Sequence, residues 1–287
     1  MLELLHYGFF VNALISSVLV GILGGFIGTY IVTRRLVFIA GGLAHASLGG
    51  VGMCALFSVS PILGASAFSL LSAAGIQKIS HKLAVKEDAA IAMIWAFGVS
   101  IGIICAFLAP SFLPDLPNYI FGNILLSTTS DIIFLAALTL AATIFFIRYM
   151  PQIAAIAFDK EFARSIKIPV NLFENILMIL IALSVVAILR AMGIVLAISL
   201  LSIPQITAAN FARKFSQTIG YSIAFTIIDC LLGLYLSYHF NIPSGAAIVF
   251  VAIVIYALSK AIKATSTRLI NRSIISHSPH NRKISGE

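Results

Sequence analysis

The sequence predicts an all-α polytopic membrane protein of eight to nine transmembrane helices, with its N-terminus outside the cell and its C-terminus in the cytoplasm. Three observations support this: the composition, the lengths of the apolar stretches and the positions of the basic residues. Of 287 residues, 60% are hydrophobic and only 10% charged, whereas soluble domains carry roughly 25% charged residues. So few charges exclude a water-soluble enzyme, and three cysteines exclude a disulfide scaffold.

Nine stretches approach the ~20 apolar residues that a membrane-spanning helix needs. The third and fifth are short, so eight spans are the alternative. A further apolar piece at 119–126 is too short to cross the membrane and is interpreted as re-entrant or interfacial. The predicted spans are 9–31, 38–57, 62–76, 89–108, 132–146, 172–189, 193–209, 219–238 and 244–258.

Basic residues set the predicted orientation. Seventeen of the 18 lysines and arginines follow odd-numbered spans, and only Arg190 lies in a loop on the other side. This bias is the positive-inside pattern, and it predicts a membrane domain over residues 1–264 and a basic cytoplasmic tail near anionic lipid over 265–287. The scatter of the charges argues against nucleic acid as a partner. His277 and His280 in the tail are weak metal-ligand candidates.

The second span carries the first candidate functional residue, His45. Gly41, His45 and Gly49 share one helical face through i, i+4 spacing, and glycines in lipid allow close helix contact. An ionisable group roughly 10–15 Å above the nearest arginines is a candidate site residue. The alternative is a neutral histidine that hydrogen-bonds to a neighbouring carbonyl.

Asp229 is the second candidate, because it is the only acidic residue deep in the eighth span. A carboxylate in hydrocarbon must pair, bind a cation or stay protonated. It is therefore either a ligand on a cation path or a partner in a structural hydrogen bond. Asp131 and Glu174 lie near span ends and are interpreted as boundary charges, with a functional role for Glu174 the less favoured alternative.

The segment 158–168 is predicted to form a short amphipathic cytoplasmic helix, because Phe158, Phe162 and Ile166 recur every four residues. Asp159 is its predicted N-cap. The helix either lies on the lipid headgroups or docks into a groove of a soluble partner. In the seventh span, Pro204 is expected to free the carbonyl near Leu200, giving either a pathway-lining break or an ordinary kink.

Several segments together resemble the membrane permeases of bacterial ABC importers for zinc, manganese and iron. The resemblance covers nearly the whole chain in family order, and it lies in RRLVFIAGGLAHASLGG (34–50), KEDAAIAMIWAFGVSIGII (86–104), YIFGNIL (119–125), FDKEFARSIKIPV (158–170), GIVLAISLLSIPQITAANFARKF (193–215) and NIPSGA (241–246). It implies a multi-pass protein of the bacterial inner membrane. No G-x-x-x-x-G-K-[ST] loop is present, so the chain is not expected to hydrolyse ATP or to be an enzyme.

The resemblance also implies partners and site residues. It implies a homodimer, a cytoplasmic ATPase and an extracytoplasmic metal-binding protein, with no tightly bound cofactor and with zinc(II), manganese(II) or iron(II) as transported substrate. His45 would lie on the metal pathway. The residues that would contact the ATPase are Phe158, Asp159, Glu161 and Phe162.

One position departs from the family pattern. Many members have an aspartate four residues before the histidine, where this chain has Gly41. We expect Asp229 to supply the missing carboxylate from the eighth span. Imidazole and carboxylate ligands suit zinc, manganese and iron alike, so the ligand types do not identify the transported metal. The alternative functions are an ABC permease for a metal chelate and a proton-coupled secondary metal carrier that uses Asp229.

Overall fold

The computed structural model describes residues 8–57, 59–82, 85–109 and 124–276, and every regular element in these ranges is helical. Most of the piece at 119–126, together with His277 and His280, lies outside them. The long helices are α1 (Gly8–Thr33), α2 (Val37–Phe57), α3 (Pro61–Lys82), α4 (Glu87–Leu108), α5 (Thr129–Phe158), α7 (Val170–Met192), α10 (Phe215–Phe240) and α11 (Ser244–Ser276). The short helices are α6 (Lys160–Ser165), α8 (Ile194–Leu200) and α9 (Ile203–Ala208).

Eight of these helices are long and apolar enough to cross a membrane, which confirms the predicted fold class. The predicted seventh span is different: it is two short helices, α8 and α9, interrupted around Ser202. The predicted fifth span is longer than expected and bends at Tyr149, two residues before Pro151, which removes a backbone hydrogen bond there. The last helix extends past the predicted tail boundary at 264.

The broken pair α8–α9 nevertheless connects opposite ends of the bundle. At one end, Arg190 near the end of α7 pairs with Asp131 at the start of α5, their side-chain atoms 3.1 Å apart. At the other end, the ring of Phe215, which begins α10, contacts the ring of Phe158, which ends α5. The chain between Arg190 and Phe215 therefore runs from one end to the other, and counting it gives nine passages through the bundle.

Two side chains make hydrogen bonds at the break around Ser202: the Ser202 hydroxyl donates to the Ile198 carbonyl at 2.7 Å, and the amide of Gln205 makes the longer connection. Pro204 stands in the first turn of α9, where its missing N–H leaves no helical partner for a carbonyl in α8. The buried amide of Gln205 donates to the Leu200 carbonyl at 3.0 Å and to the Gly24 carbonyl of α1 at 2.9 Å. The predicted free carbonyl at Leu200 is confirmed, and Gln205 satisfies it while joining the break to α1.

Glycines let α2 pack almost backbone to backbone on its neighbours. A Cβ on Gly52 would stand 2.3 Å from the Gly102 carbonyl oxygen of α4, and a Cβ on Gly50 would overlap the Gly64 carbonyl of α3. From the other side, a Cβ on Gly98 would stand 2.6 Å from the Cα of Ala46. The α2–α4 contact, hereafter the glycine seam, confirms that this face of α2 is built for close helix packing.

Candidate functional site

His45 lies on the glycine seam, half-buried between α2 and α4. Its Nδ1 is 2.9 Å from the carbonyl oxygen of Gly41, so Nδ1 carries the proton and donates it. Its ring stacks on Trp95 of α4, with centroids 4.3 Å apart. The hydrogen bond that the structural alternative required is therefore present. It also orients the ring and leaves Nε2 as the nitrogen with a free lone pair, as in metal-binding histidines.

The imidazole opens onto a cavity of about 340 Å³ between α2 and α4. Among the residues that the structure describes, His45 and the Trp95 ring nitrogen are the polar side-chain groups of the cavity wall. A divalent ion here would meet one imidazole and otherwise backbone or water, which suits weak and transient binding. The lining residues are His45, Leu48, Val51, Gly52, Trp95, Val99, Gly102, Ile103, Ala106 and Phe107.

Asp229 is buried in the middle of α10, with 1% of its surface exposed. Its Oδ1 has no hydrogen-bond partner among the residues that the structure describes. A buried carboxylate without a partner is costly in apolar surroundings. Among the described residues there is no side-chain hydrogen bond at Oδ1 of the kind that the structural alternative invoked, and the role of Asp229 on a cation path stays a prediction.

The structure places His45 and Asp229 on helices with different main neighbours. Helix α2 packs against α3, α4, α7 and α8, whereas α10 packs mainly against α1, α9 and α11. No ion pair joins the two side chains. Within the described ranges, no cluster of three or more histidine, cysteine, aspartate or glutamate side chains is arranged to hold a metal ion. The predicted pairing of His45 with Asp229 stays a prediction.

The predicted helix at 158–168 is present in shorter form as α6, Lys160–Ser165, because Phe158 ends α5 and Ile166 follows α6. Asp159 caps α6: its Oδ1 accepts hydrogen bonds from the backbone N–H groups of Glu161, at 2.9 Å, and Phe162, at 3.1 Å. Ala163 faces inward and is buried, whereas the side chains of Phe158 and Phe162 are 71% and 57% exposed. The end of α5 and the capped α6 therefore each present one aromatic ring outward.

Glu174, which the sequence analysis interpreted as a boundary charge, has two ion-pair partners that the sequence did not indicate. Its carboxylate, on the first turns of α7, forms ion pairs with Lys160 at the start of α6 and with Arg34, which follows α1, the latter at 3.7 Å. These side chains line a small cavity together with residues of α3 and α4. Contacts between residues so far apart in the chain leave no signal in a single sequence beyond a charge at a helix end.

A helical bundle with an interrupted apolar segment, a buried carboxylate and an exposed capped helix at one end is an arrangement typical of transport permeases. The chain belongs to the ABC 3 transport family, which matches residues 6–263. It is accordingly the membrane permease of an ABC transporter, and the catalytic subunit of such a transporter is another chain.

Similar proteins agree with this assignment over most of their lengths. The chain is 35% identical to an uncharacterised membrane protein of Synechocystis, over 92% of this chain and 94% of that one. It is 33% identical to the manganese transport system membrane protein MntC of Listeria innocua, over 89% and 91%. Among solved structures, PsaBC from Streptococcus pneumoniae in complex with Fab matches with a TM-score of 0.80 and 30% identity, covering 89% of this chain and 92% of that chain.

Proposed function

We propose that this chain is the permease of an ATP-driven importer of a divalent transition metal, with manganese the favoured substrate and zinc or iron the alternatives. The observation that carries the proposal is His45, whose imidazole is held through Nδ1 by the Gly41 carbonyl and lines the cavity beside the glycine seam. Imidazole alone does not select among these metals. The preference for manganese is supported by the similarity to the manganese transport system membrane protein of Listeria innocua.

The proposed complex contains two copies of the permease, a cytoplasmic ATPase on each α6, and an extracytoplasmic protein that delivers the metal. The exposed rings of Phe158, at the end of α5, and Phe162, on the capped α6, suit an apolar groove of a soluble partner. Glu161, which pairs with Arg164 at 2.6 Å on the exposed side of α6, belongs to the same contact. In this orientation the bundle end that carries Arg34 and Lys160 faces the cytoplasm.

In the proposed cycle, ATP binding draws the ATPase subunits together and α6 passes that movement to the bundle. The path that contains His45 then opens alternately to either side. One neutral imidazole in a mostly apolar cavity holds the ion weakly enough for release. The ion loses part of its hydration shell near His45 and regains it at the far side, so tight binding is not required.

Metal uptake into proteoliposomes tests this proposal. The vesicles hold the permease with its ATPase, the delivery protein is added, and manganese, zinc and iron compete. We expect ATP-dependent uptake that falls at least about tenfold in His45→Gln, the loss of one ligand bond of about 1.4 kcal/mol or more. His239→Gln is the matched control, because His239 lies at the end of α10 and stacks on Tyr235.

Each other outcome of that experiment favours a different function. Uptake of equal rate without ATP favours the proton-coupled carrier. No uptake of any free ion, with a complex that still hydrolyses ATP, favours a metal chelate as substrate. Unchanged metal uptake by His45→Gln would show that His45 is not needed on the metal path.

Two further variants test the carboxylate question. If Asp229 lies on the metal path, Asp229→Asn is expected to lower metal uptake in the same vesicles. Normal uptake by Asp229→Asn would show that Asp229 has no role in that path. Gly41→Asp restores the family pattern, and there is room for it, since a Cβ on Gly41 would be 3.5 Å from Ile198, an ordinary contact. A carboxylate beside His45 is expected to tighten manganese binding by roughly tenfold. Paramagnetic quenching of Trp95, the single tryptophan, measures that binding.

A further inference from the structure

The ion pairs of Glu174 join three separate segments at the end of the bundle where α6 lies. One partner, Lys160, is the first residue of α6, and the other, Arg34, stands in the turn between α1 and α2. All three side chains are largely buried, with 14% of Glu174, 17% of Arg34 and 22% of Lys160 exposed. We propose that Glu174 is a positioning residue that transmits the movement of α6 to α2, and thereby to His45.

The charges around Glu174 explain why its carboxylate is needed. Two cations, Arg34 and Lys160, share Glu174. The other charged residue that lines this cavity is Glu87, at the start of α4. Removal of the Glu174 charge would leave Arg34 and Lys160 facing each other across a poorly hydrated space, where like charges repel strongly. Helix α6 would then separate from the α1–α2 turn.

The connection continues from Arg34 into α2 without a flexible segment. The turn after α1 is short and hydrogen-bonded: the Arg34 N–H donates to the Tyr30 carbonyl at 2.9 Å, and the Leu36 N–H donates to the Ile31 carbonyl at 2.8 Å. Helix α2 begins at Val37, about 12 Å below His45 at 1.5 Å per residue. A displacement of Arg34 therefore moves the start of the helix that carries the imidazole.

This inference rests on the proposed contact between α6 and the ATPase, so its test measures that contact separately. Metal transported per ATP hydrolysed is determined for the complete complex in proteoliposomes, together with the amount of ATPase that co-purifies. In Glu174→Gln we expect normal ATPase retention and hydrolysis, but roughly tenfold less metal per ATP. Glu174→Asp should stay within about twofold of the wild type, because it keeps the charge.

Asp88→Asn is the matched control, since Asp88 is an exposed carboxylate in the first turn of α4; its ratio should not change. Lys160→Met is the second variant, because it removes the link to α6 while it leaves Arg34 paired with Glu174, and it should lower the ratio as Glu174→Gln does. An unchanged ratio in either variant overturns the inference. So does loss of the ATPase from Glu174→Gln, which would show that Glu174 only holds α6 in place.

Phe162→Ala distinguishes failure of the inference from failure of the proposed function. If Phe162→Ala loses the ATPase, α6 is the contact and the ratios measured for Glu174→Gln and Lys160→Met decide the inference. If Phe162→Ala keeps both the ATPase and the ratio, the proposed docking of the ATPase on α6 is wrong, and the transmission through Glu174 is wrong with it.

Discussion

The glycine seam makes a quantitative prediction for Gly52→Ala. A Cβ at this position would stand 2.3 Å from the Gly102 carbonyl oxygen and 2.8 Å from the Gly102 Cα, whereas ordinary contacts begin at 3.4 Å. Both atoms belong to the backbone of α4, so the clash cannot be relieved by a change of side-chain rotamer. The two helices would have to separate by about 1 Å along the seam.

The expected cost combines three contributions. Overpacking of a close contact costs about 1–3 kcal/mol, and separation of the helices weakens dispersion along the rest of the seam, where each atom pair contributes about 0.1–0.2 kcal/mol. The higher helix propensity of alanine returns at most about 1 kcal/mol. We therefore expect Gly52→Ala to lower the free energy of unfolding by about 2 kcal/mol.

Unfolding of the purified permease by SDS in mixed micelles measures this free energy. The emission of Trp95 reports it locally, because Trp95 is the only tryptophan and its ring crosses the seam to stack on His45. Gly220→Ala is the control: a Cβ there meets nothing within 4 Å, so the variant should be as stable as the wild type or up to about 1 kcal/mol more stable. A Gly52→Ala protein within about 0.5 kcal/mol of the wild type would refute the close-packing argument.

Three other substitutions have expected outcomes in the same unfolding assay or in purification of the complex. Gln205→Leu should cost about 2–4 kcal/mol because two carbonyls lose their donor, whereas Gln217→Leu, at an exposed amide, should cost less than about 1 kcal/mol. Arg190→Met should cost about 3–5 kcal/mol by leaving the buried Asp131 charge uncompensated, and adding Asp131→Asn should recover most of that loss in a double-mutant cycle. Asp159→Ala should remove about 1 kcal/mol of capping stabilisation from α6 and reduce the amount of ATPase that co-purifies. Asp159→Asn, which caps a helix equally well, should keep the ATPase bound unless the charge of Asp159 itself contacts the ATPase.

The sequence predicted the parts of this fold that follow from local patterns. Apolar stretches predicted the long helices because a buried backbone in lipid must be helical. Proline chemistry predicted the break at Pro204, and residue type predicted the Asp159 cap. The close face of α2 around His45 was also predicted, from the spacing of its glycines, and Trp95 of α4 lies against it.

The rest depended on contacts between distant segments. The amide of Gln205 donates to the Gly24 carbonyl of α1, which is far away in the chain. The sequence around a polar residue in an apolar stretch does not indicate which distant group it bonds to. Glu174 was interpreted as a boundary charge, since a single sequence shows that a carboxylate stands at a helix end but not that Arg34 and Lys160 converge on it. Arg190, the one basic residue on the other side, likewise gave no indication of its buried pair with Asp131.

The two kinds of packing in the bundle determine how movement can reach His45. Along the glycine seam, backbones touch with no side chains between them, so α2 and α4 can move together but not slide past each other without a clash. The α8–α9 break is the opposite case, because the helix is interrupted around Ser202 and the Leu200 carbonyl there is bonded by the amide of Gln205 in place of the N–H that Pro204 lacks. In the proposed transmission, a displacement that enters at Arg34 would be carried by α2 and α4 together and taken up on the α8 side, where even an added Cβ on Gly41 would stand 3.5 Å from Ile198. In the proposed cycle, rotation of the α2–α4 pair against α8 would turn the His45 cavity toward one side of the bundle or the other, and we expect the imidazole, its Gly41 carbonyl and the Trp95 ring to keep the contacts that the structure shows.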